Sequence, residues 1–509
     1  MPFSNEGDRV GHGEIKTSRM GMSEDDFRNA ANEMSEYIIS YYKSLNGRQA
    51  IPSVTPGFLT DLLPKDPPNR PENWEKLFVD LEKVVMRGMS HWQSSNFFAY
   101  FPTGTSYPSI LADMLSNAVS SVDLSWASSP ISTEMEATVL GWLGQAIGLP
   151  DCFIHSKVGP GYGVIQGSAS EATLMTLLAA RSKKLSLLSN KYPEKSQYEL
   201  LSKLVAYSSK YSHSSVERAC LMGMVQLHKL PVDENISVTK QILEEAIKID
   251  MENGKIPFYV CATLGTTSCV SFDDLSGIGE VCAEEDIWLH VDAAYAGCSF
   301  VCQEFRHHMK GIEMASSFNC SPHKWLMVNT DCSVLWVKNN KDLLEAFKMQ
   351  PEYARHPEDD VTIDHRHMRV AFGCRFRSLK LWFVFRLIGV DGLKQKIRDD
   401  VKMAKLFETY VKKDKRFEVV FPVHLSLVCI RLKVSEDPKV NKSINVELLK
   451  RINQAKEIYL VPSEVEDVCF LRISVGTVAC DENAIKNCWN VIQKHADLIF
   501  RNSLENGSM

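Results

Sequence analysis

The sequence predicts an α/β fold with a mainly parallel sheet, followed by a smaller α+β unit. Between about residues 105 and 380, short apolar segments alternate with longer stretches of helical periodicity. Parallel neighbours in a sheet need long crossover connections, so this alternation favours parallel pairing. After about residue 381 the pattern changes to short strands and a closing helix. The clearest predicted strands of the larger part are 203–208, 257–263, 288–293 and 332–337.

Changes of pattern along the chain divide it into four predicted segments. Residues 1–22 are polar and are predicted to form a flexible leader. Residues 23–105 begin with a helix, for which Ser23 is the expected N-cap, and continue into a proline-rich stretch typical of an extended arm. Residues 106–380 form the predicted large domain, and residues 381–509 form the predicted small domain.

The composition is that of a large globular protein, with 44% hydrophobic and 24% charged residues. The net charge of −6 is spread along the chain, so no basic block indicates binding to nucleic acid or to an anionic membrane. No stretch approaches the roughly 20 apolar residues that cross a bilayer, and the first residues lack the apolar core of a signal peptide. The 14 cysteines include no Cys-x-x-Cys pair, which argues against a zinc site and predicts a reducing, cytoplasmic compartment.

Lys324 lies in an unusual setting for a lysine, between His323 and Trp325 and directly before an apolar run. Desolvation there would lower the pKa of the amine, as a lysine that forms an imine requires. The local sequence fits equally well a lysine whose stem is buried and whose ammonium reaches solvent.

Three further segments come where predicted strands end. Asp292 follows an apolar strand, at the edge where parallel α/β sheets bind ligands, and its carboxylate could pair with a pyridinium nitrogen. Segment 167–173 offers small residues, hydroxyls and the N–H groups of a helix start to a phosphate. The imidazole of His213 could stack on an aromatic cofactor. Each segment taken alone fits a helix cap or turn at least as well.

Taken in order, these segments resemble the group II decarboxylases that depend on pyridoxal 5′-phosphate (PLP), and most closely the animal aromatic L-amino acid decarboxylases. The resemblance extends from residue 22 to about residue 501. Several ordered motifs over such a length are specific, whereas each alone would not be. The motifs are 91–92 (HW), 97–103 (FFAYFPT), 166–171 (QGSASE), 213–217 (HSSVE), 290–297 (HVDAAYAG), 322–325 (PHKW) and 376–380 (FRSLK).

The resemblance implies a PLP-dependent enzyme of fold type I that removes the carboxyl group of an aromatic L-amino acid, a reaction of monoamine synthesis. It also implies a homodimer in which the N-terminal arm lies on the partner and each active site is built from both subunits. The expected partners are therefore the amino acid and a second copy of the chain, with no metal, nucleic acid or membrane.

The resemblance also assigns roles to individual residues. Lys324 would hold PLP, Asp292 would pair with its ring nitrogen, and His213 would stack on the ring. Tyr353, on a charged loop able to close as a lid, would supply a proton to the substrate Cα. The other expected cofactor contacts are Ser168, Ala169, Ser170, Thr267, Ala294, Ser317, Ser321 and His323. The expected substrate pocket contains Trp92, Tyr100, Phe101, Pro102, Thr103, Val122, Leu124, His213, Thr330 and Gly373.

Four positions depart from the pattern of the family. Leu124 and Thr330 replace phenylalanines of the substrate wall, which predicts a wider or more polar pocket. Dopa, 5-hydroxytryptophan, tyrosine and tryptophan therefore all remain candidate substrates. Ser321 replaces an asparagine beside the phosphate, a mild change because both side chains can donate a hydrogen bond. Cys374 replaces an arginine, a change that the sequence does not explain.

Three other functions compete with simple decarboxylation. Related aldehyde synthases replace either the loop tyrosine or the stacking histidine, so Tyr353 and His213 favour the amine as product. Histidine decarboxylases carry serine at the position of Gly373. The glycine of this chain leaves room for a larger ring, as in the enzymes that act on aromatic acids. A catalytically silent paralogue, kept for binding, would not need Lys324, Asp292, His213 and Tyr353. The presence of all four therefore argues against that function.

Overall fold

A computed structural model of the chain describes residues 20–156, 159–358 and 361–505. Contacts divide the chain into two compact units, residues 1–91 and 92–509. This division falls at residue 91, whereas the predicted arm extends to residue 105, and the apolar residues after position 91 lie in the second unit. Phe98 and Phe101 are buried there in hydrophobic cores. Most of the predicted leader, residues 1–19, lies outside the described residues.

From residue 20 onwards, where the structure describes it, the N-terminal unit contains two α-helices joined by irregular, proline-rich chain. Helix α1 is Glu24–Ser44 and helix α2 is Trp74–Asp80. Ser23 caps α1 as predicted, its side chain accepting a hydrogen bond of 3.1 Å from the Asp26 N–H.

The larger sheet of the second unit has seven strands in the order β1-β7-β6-β5-β4-β2-β3. All neighbours pair in parallel except β7, which is antiparallel to both β1 and β6. The predicted mainly parallel α/β fold is thereby confirmed. The strands are β1 Tyr162–Gln166, β2 Leu204–Ser209, β3 Gln226–Leu230, β4 Ile256–Thr263, β5 Trp288–Asp292, β6 Ser317–Cys320 and β7 Ser333–Val337.

Helices cover both faces of this sheet. Along β2, Val205 and Tyr207 point into a core shared with α4, α8 and α9, whereas Leu204 and Ala206 point into a core shared with α5 and α7. Burial on both faces explains why the strands are apolar throughout. The helices are α3 Tyr107–Val119, α4 Pro130–Ile147, α5 Ala169–Lys191, α6 Gln197–Leu201, α7 Ser214–Gly223, α8 Lys240–Glu252, α9 Leu275–Glu284, α10 Pro322–Trp325, α11 Asn340–Phe347 and α12 Ser378–Leu387.

A second sheet lies towards the C-terminus, with four antiparallel strands in the order β10-β11-β9-β8 and its own core. The predicted boundary after residue 380 falls inside α12, which packs on α3 and α4 of the larger part. No helix of the described residues is long and apolar enough to span a membrane. The remaining elements are α13 Gly389–Lys413, β8 Phe417–Val419, β9 Leu427–Leu432, α14 Pro438–Ala455, β10 Val461–Val465, β11 Val468–Ser474 and α15 Glu482–Glu505.

Candidate active site

A cavity lies where strands of the large sheet end, and most of its lining was predicted from the sequence. Strands β4 and β5 end side by side at Thr263 and Asp292, and both residues line the cavity. Ligands bind at this edge in open α/β sheets. Predicted residues that line it are Phe101, Ser168, Ala169, Ser170, His213, Thr267, Asp292, Ala294, Ser321, His323 and Lys324.

Lys324 reaches the cavity from α10, the single helical turn that follows β6. Its side chain is only partly exposed, and its Nζ lies 5.8 Å from the centre of the Phe101 ring. Burial lowers the pKa of the Lys324 amine, and the negative charge of Asp292 opposes this shift without cancelling it. The site therefore favours a larger fraction of neutral, nucleophilic amine than an exposed lysine would have.

Asp292 is the last residue of β5 and is only 5% exposed. Its Oδ1 accepts a hydrogen bond of 3.0 Å from the Ala294 N–H, which orients the carboxylate within the cavity. A buried carboxylate at this position provides the charge that a protonated ring nitrogen needs as a partner.

Ser168 and its neighbours form the start of α5, directly after β1. Ser168 Oγ accepts from the Glu171 N–H at 3.2 Å, and Glu171 Oε2 accepts from the Gly167 N–H at 2.7 Å. This is a capping box, the alternative that the sequence also allowed. The same turn lines the cavity, so the helix start and its hydroxyls also face the space where a phosphate would bind.

Both histidines of the cavity are held by local hydrogen bonds. His213 is the N-cap of α7, and its Nδ1 lies 2.9 Å from Ser215 Oγ. Burial lowers the pKa of His213, which favours a neutral ring suited to stacking. His323 Nδ1 accepts from the Cys332 N–H at 2.9 Å, and burial lowers the pKa of His323 to about 4.

Ser317 is the one predicted cofactor contact that does not line the cavity. Its hydroxyl lies 2.8 Å from both Trp288 Nε1 and His290 Nδ1 within the sheet. It therefore supports β5, the strand that ends at Asp292, rather than facing the space beside Lys324.

Most of the predicted substrate wall also lies apart from the cavity lining. Trp92 stacks on Tyr100 with ring centres 5.2 Å apart, and a Cβ on Gly373 would lie 2.7 Å from Val122. Tyr353 is 77% exposed on a short 3-10 turn. The predicted wall and lid residues outside the lining are Trp92, Tyr100, Pro102, Thr103, Val122, Leu124, Thr330, Tyr353 and Gly373.

The sequence argument did not identify Tyr295 or Arg472 as site residues. The Tyr295 ring stacks between Phe101 and Trp325, with ring centres at 3.8 and 4.8 Å. The Arg472 guanidinium lies 5.1 Å from the Phe101 ring centre, and its Nη2 has no hydrogen-bond partner among the described residues. Arg472 is the one charged residue of the apolar strand β11, a pattern in the sequence that could have indicated a site residue. The remaining unpredicted lining residues are Thr263 and Gly265.

The residues of the cavity fit PLP. Its aldehyde would react with the amine of Lys324, whose pKa is lowered by burial, and its ring nitrogen could pair with the buried carboxylate of Asp292. Its phosphate could accept hydrogen bonds from hydroxyls and N–H groups at the start of α5, which lines the cavity.

Fold and site together define a PLP-dependent enzyme of fold type I. Residues 56–433 match the conserved domain described as the pyridoxal-dependent decarboxylase conserved domain. The chain therefore belongs to the pyridoxal-dependent decarboxylase family, which confirms the resemblance and the predicted cofactor.

Individual relatives and solved structures show which named enzymes are similar to this chain. The chain is 48% identical to the aromatic-L-amino-acid decarboxylase of Rattus norvegicus, over 94% of this chain and 99% of the relative. The structure of Oryza sativa TDC with PLP and tryptamine superposes with a TM-score of 0.90 at 36% identity, covering 94% of this chain and 99% of that one. Rhodiola rosea 4-hydroxyphenylacetaldehyde synthase superposes with a TM-score of 0.87 at 33% identity, covering the same shares. The fold alone thus accommodates both amine-forming and aldehyde-forming relatives.

Proposed function

We propose that this protein uses PLP to decarboxylate an aromatic L-amino acid, releasing the arylalkylamine and CO2. The observation that carries the proposal is the convergence of Lys324, Asp292 and His213 on one cavity with the start of α5. Relatives named as aromatic-L-amino-acid decarboxylases, nearly half identical over almost the whole chain, support the substrate class.

Three residues would do the chemical work at the cofactor. PLP, when bound, supplies an electron sink for the bond that breaks at Cα. Lys324 would present an amine whose neutral form is favoured by burial, Asp292 would keep the ring nitrogen protonated through its negative charge, and His213 would present a flat ring whose neutral form is favoured by burial. These roles follow from burial and from position at the sheet edge.

The substrate must be held so that its carboxylate bond is aligned for cleavage, and water must be kept away from Cα. We assign the second task to the loop that carries Tyr353, because an exposed turn can close over a cavity without rearranging the core. The Tyr353 hydroxyl would then deliver a proton to Cα.

We infer that the working enzyme is a homodimer. Val122, Leu124 and Gly373, expected in the substrate wall, do not line the cavity of their own chain. Helix α3, directly before them, carries an apolar stripe about half exposed to solvent, at Tyr107, Leu111, Met114, Leu115 and Val119. A second copy seated on α3 would bury this stripe and would bring the wall segment to a cavity.

We further infer a cytoplasmic role in monoamine synthesis. All 14 cysteines are free thiols, and most are buried as small apolar residues, which suits a reducing compartment.

A product assay tests the proposed function. PLP-loaded protein would receive an equimolar mixture of Dopa, 5-hydroxytryptophan, tyrosine, tryptophan, phenylalanine and histidine, and amines and aldehydes would be quantified by mass spectrometry. We expect one dominant aromatic amine, which would also identify the preferred substrate. Aldehyde with hydrogen peroxide would instead assign the chain to the synthases, and histamine would assign it to the histidine decarboxylases. Lys324→Ala, which lacks the amine, is the control for background reaction.

A further inference from the structure

A buried cluster of charged side chains lies beside the predicted substrate wall, and nothing in the proposed mechanism uses it. Its members are Asp123, Glu136, His365, Arg369 and Cys374, of which the first four are at most 5% exposed. We propose that Arg369 is a specificity-determining positioning residue, whose guanidinium sets the geometry of the substrate wall. This inference rests on the proposed function.

Arg369 connects three separate segments of the chain. Its Nη1 donates to Asp123 Oδ2 at 3.0 Å and lies 2.7 Å from Cys374 Sγ. Its Nη2 donates to Glu136 Oε1, on α4, at 2.5 Å. A planar guanidinium with fixed donors holds its partners at defined angles, so these contacts limit how the segments can move relative to one another.

The charge balance explains why the cation must be present. Asp123 and Glu136 are both buried, and burial opposes ionisation of Asp123, but His365 and Arg369 together hold the pKa of Asp123 well below its usual range. Asp123, Glu136 and His365 would resemble a metal site if they stood alone. Arg369 lies at hydrogen-bonding distance from both carboxylates and supplies the positive charge that a metal ion would otherwise contribute.

The segments joined by Arg369 are those that carry the substrate wall. Asp123 lies between Val122 and Leu124, and its N–H donates to the Cys374 carbonyl at 2.8 Å. Gly373, the residue before Cys374, lies against Val122. The two parts of the wall are therefore adjacent, and the contacts of Arg369 with Asp123 and Cys374 hold them together.

Glu136 extends the same connection to the cofactor side of the site. Its Oε1 accepts from the Ile165 N–H at 2.8 Å, near the end of β1. That strand leads directly into the turn at Ser168, whose residues line the cavity. Arg369 thus joins the wall segment, which would serve the cavity of a second copy, to the strand that supports the predicted phosphate site of its own chain.

The position of Cys374 allows the role of Arg369 to be tested by moving the cationic side chain from residue 369 to residue 374. Its Sγ lies 4.0 Å from Asp123 Oδ2, so a longer cationic side chain at position 374 could reach the same carboxylates. The resembled family carries arginine at that position. In this chain position 374 carries a thiol, and Arg369 supplies the cation beside Asp123 and Glu136.

The experiment compares Arg369→Gln with the exchange variant Arg369→Gln/Cys374→Arg, both in the full-length, PLP-loaded protein. Arg375→Gln, which removes an exposed arginine of the same segment, is the matched control, and Cys374→Ser tests the thiol by itself. We expect Arg369→Gln to lower kcat/KM for the preferred substrate by about 10²-fold and to alter the selectivity among aromatic substrates, because a displaced wall misorients the substrate. The visible absorbance of bound PLP should change little, and the exchange variant should recover selectivity among aromatic substrates.

Unaltered selectivity in folded Arg369→Gln would overturn the inference. If that variant does not fold, the exchange variant decides: recovery of folding and selectivity supports the inference, and failure of either overturns it. Calorimetric binding of two acids without an amino group, 3-(3,4-dihydroxyphenyl)propanoate and 3-(indol-3-yl)propanoate, separates this result from failure of the proposed function. A wild type that makes no amine, but binds these acids with a preference that Arg369→Gln loses, would retain the positioning role. Equal or absent binding of both acids by such a wild type would overturn both proposals.

Discussion

Lys324 illustrates how single residues acquire chemistry from their surroundings. The same side chain on a surface would be a fully solvated cation, whereas here the protein around it disfavours the charged form. Asp292 acts in the opposite direction, so the reactivity of the amine is set by two residues that are separated in sequence and meet at the sheet edge.

The lowered pKa of Lys324 predicts how cofactor attachment depends on pH. Only the neutral amine attacks the aldehyde, so the rate of attachment to apoprotein should rise with pH and level off below the usual lysine value of 10.5. Visible absorbance after mixing with PLP, followed across pH, measures this midpoint. Lys324→Ala should show no such band, whereas Lys341→Ala, at an exposed lysine, should behave as wild type. A midpoint at or above 10.5 would contradict the predicted desolvation.

At the scale of an element, the turn that carries Tyr353 is exposed but tethered. Arg366 is buried, and it donates to the carbonyls of Ala354 at 3.1 Å and of Leu124 at 3.3 Å. The turn is therefore attached at one side to the predicted substrate wall, while the Tyr353 side chain remains in solvent. This arrangement suits a lid that moves about a fixed end.

Tyr353→Phe tests the role of this turn. Loss of the hydroxyl should lower amine formation by about 10²-fold, the usual lower contribution of a positioned proton donor, and should reveal aldehyde among the products. Mass spectrometry of both products, with PLP binding followed by absorbance, makes the measurement. Tyr198→Phe, at another exposed tyrosine, is the control. Undiminished amine production would remove Tyr353 from the mechanism.

At the scale of the whole molecule, the site depends on both sheets of the second unit. The Tyr295 hydroxyl lies 2.7 Å from Ser426 Oγ, just before β9, and Trp325 Nε1 donates to Asp400 of α13 at 2.8 Å. These contacts fix the stack of rings beside Lys324 against the part of the chain that carries the smaller sheet. Most of the predicted substrate wall, including Val122, Leu124 and Gly373, does not line the cavity of its own chain.

Mixed dimers test whether two copies share each site. Co-expression of Lys324→Ala with Gly373→Phe should give a mixed dimer with about half the wild-type rate, because one of its two sites combines an intact lysine with an intact wall. In the control, one chain carries both substitutions and its partner is wild type. If the sites are shared, neither site of this control has both an intact lysine and an intact wall. Activity of differently tagged, purified dimers is the readout. An inactive first pair and an active control would show that the sites are not shared.

The sequence by itself determined the parts of this protein that depend on local patterning. Apolar segments located β5 at Trp288–Asp292 and predicted the parallel sheet, because burial on both faces requires apolar strands separated by crossovers. Ordered motifs likewise predicted that Lys324, Asp292, His213 and the start of α5 belong to one site, and these residues line one cavity, because several motifs in order are specific where each alone is not.

Only the tertiary structure decided which distant segments meet. It placed Tyr295 between two rings, directed the Ser317 hydroxyl away from the cavity, and brought Arg369 to the carboxylates of Asp123 and Glu136. Such contacts depend on packing between segments far apart in sequence, and no local periodicity records them. Cys374 makes the same distinction: the sequence alone does not show what surrounds its side chain, whereas the structure places Arg369 beside it.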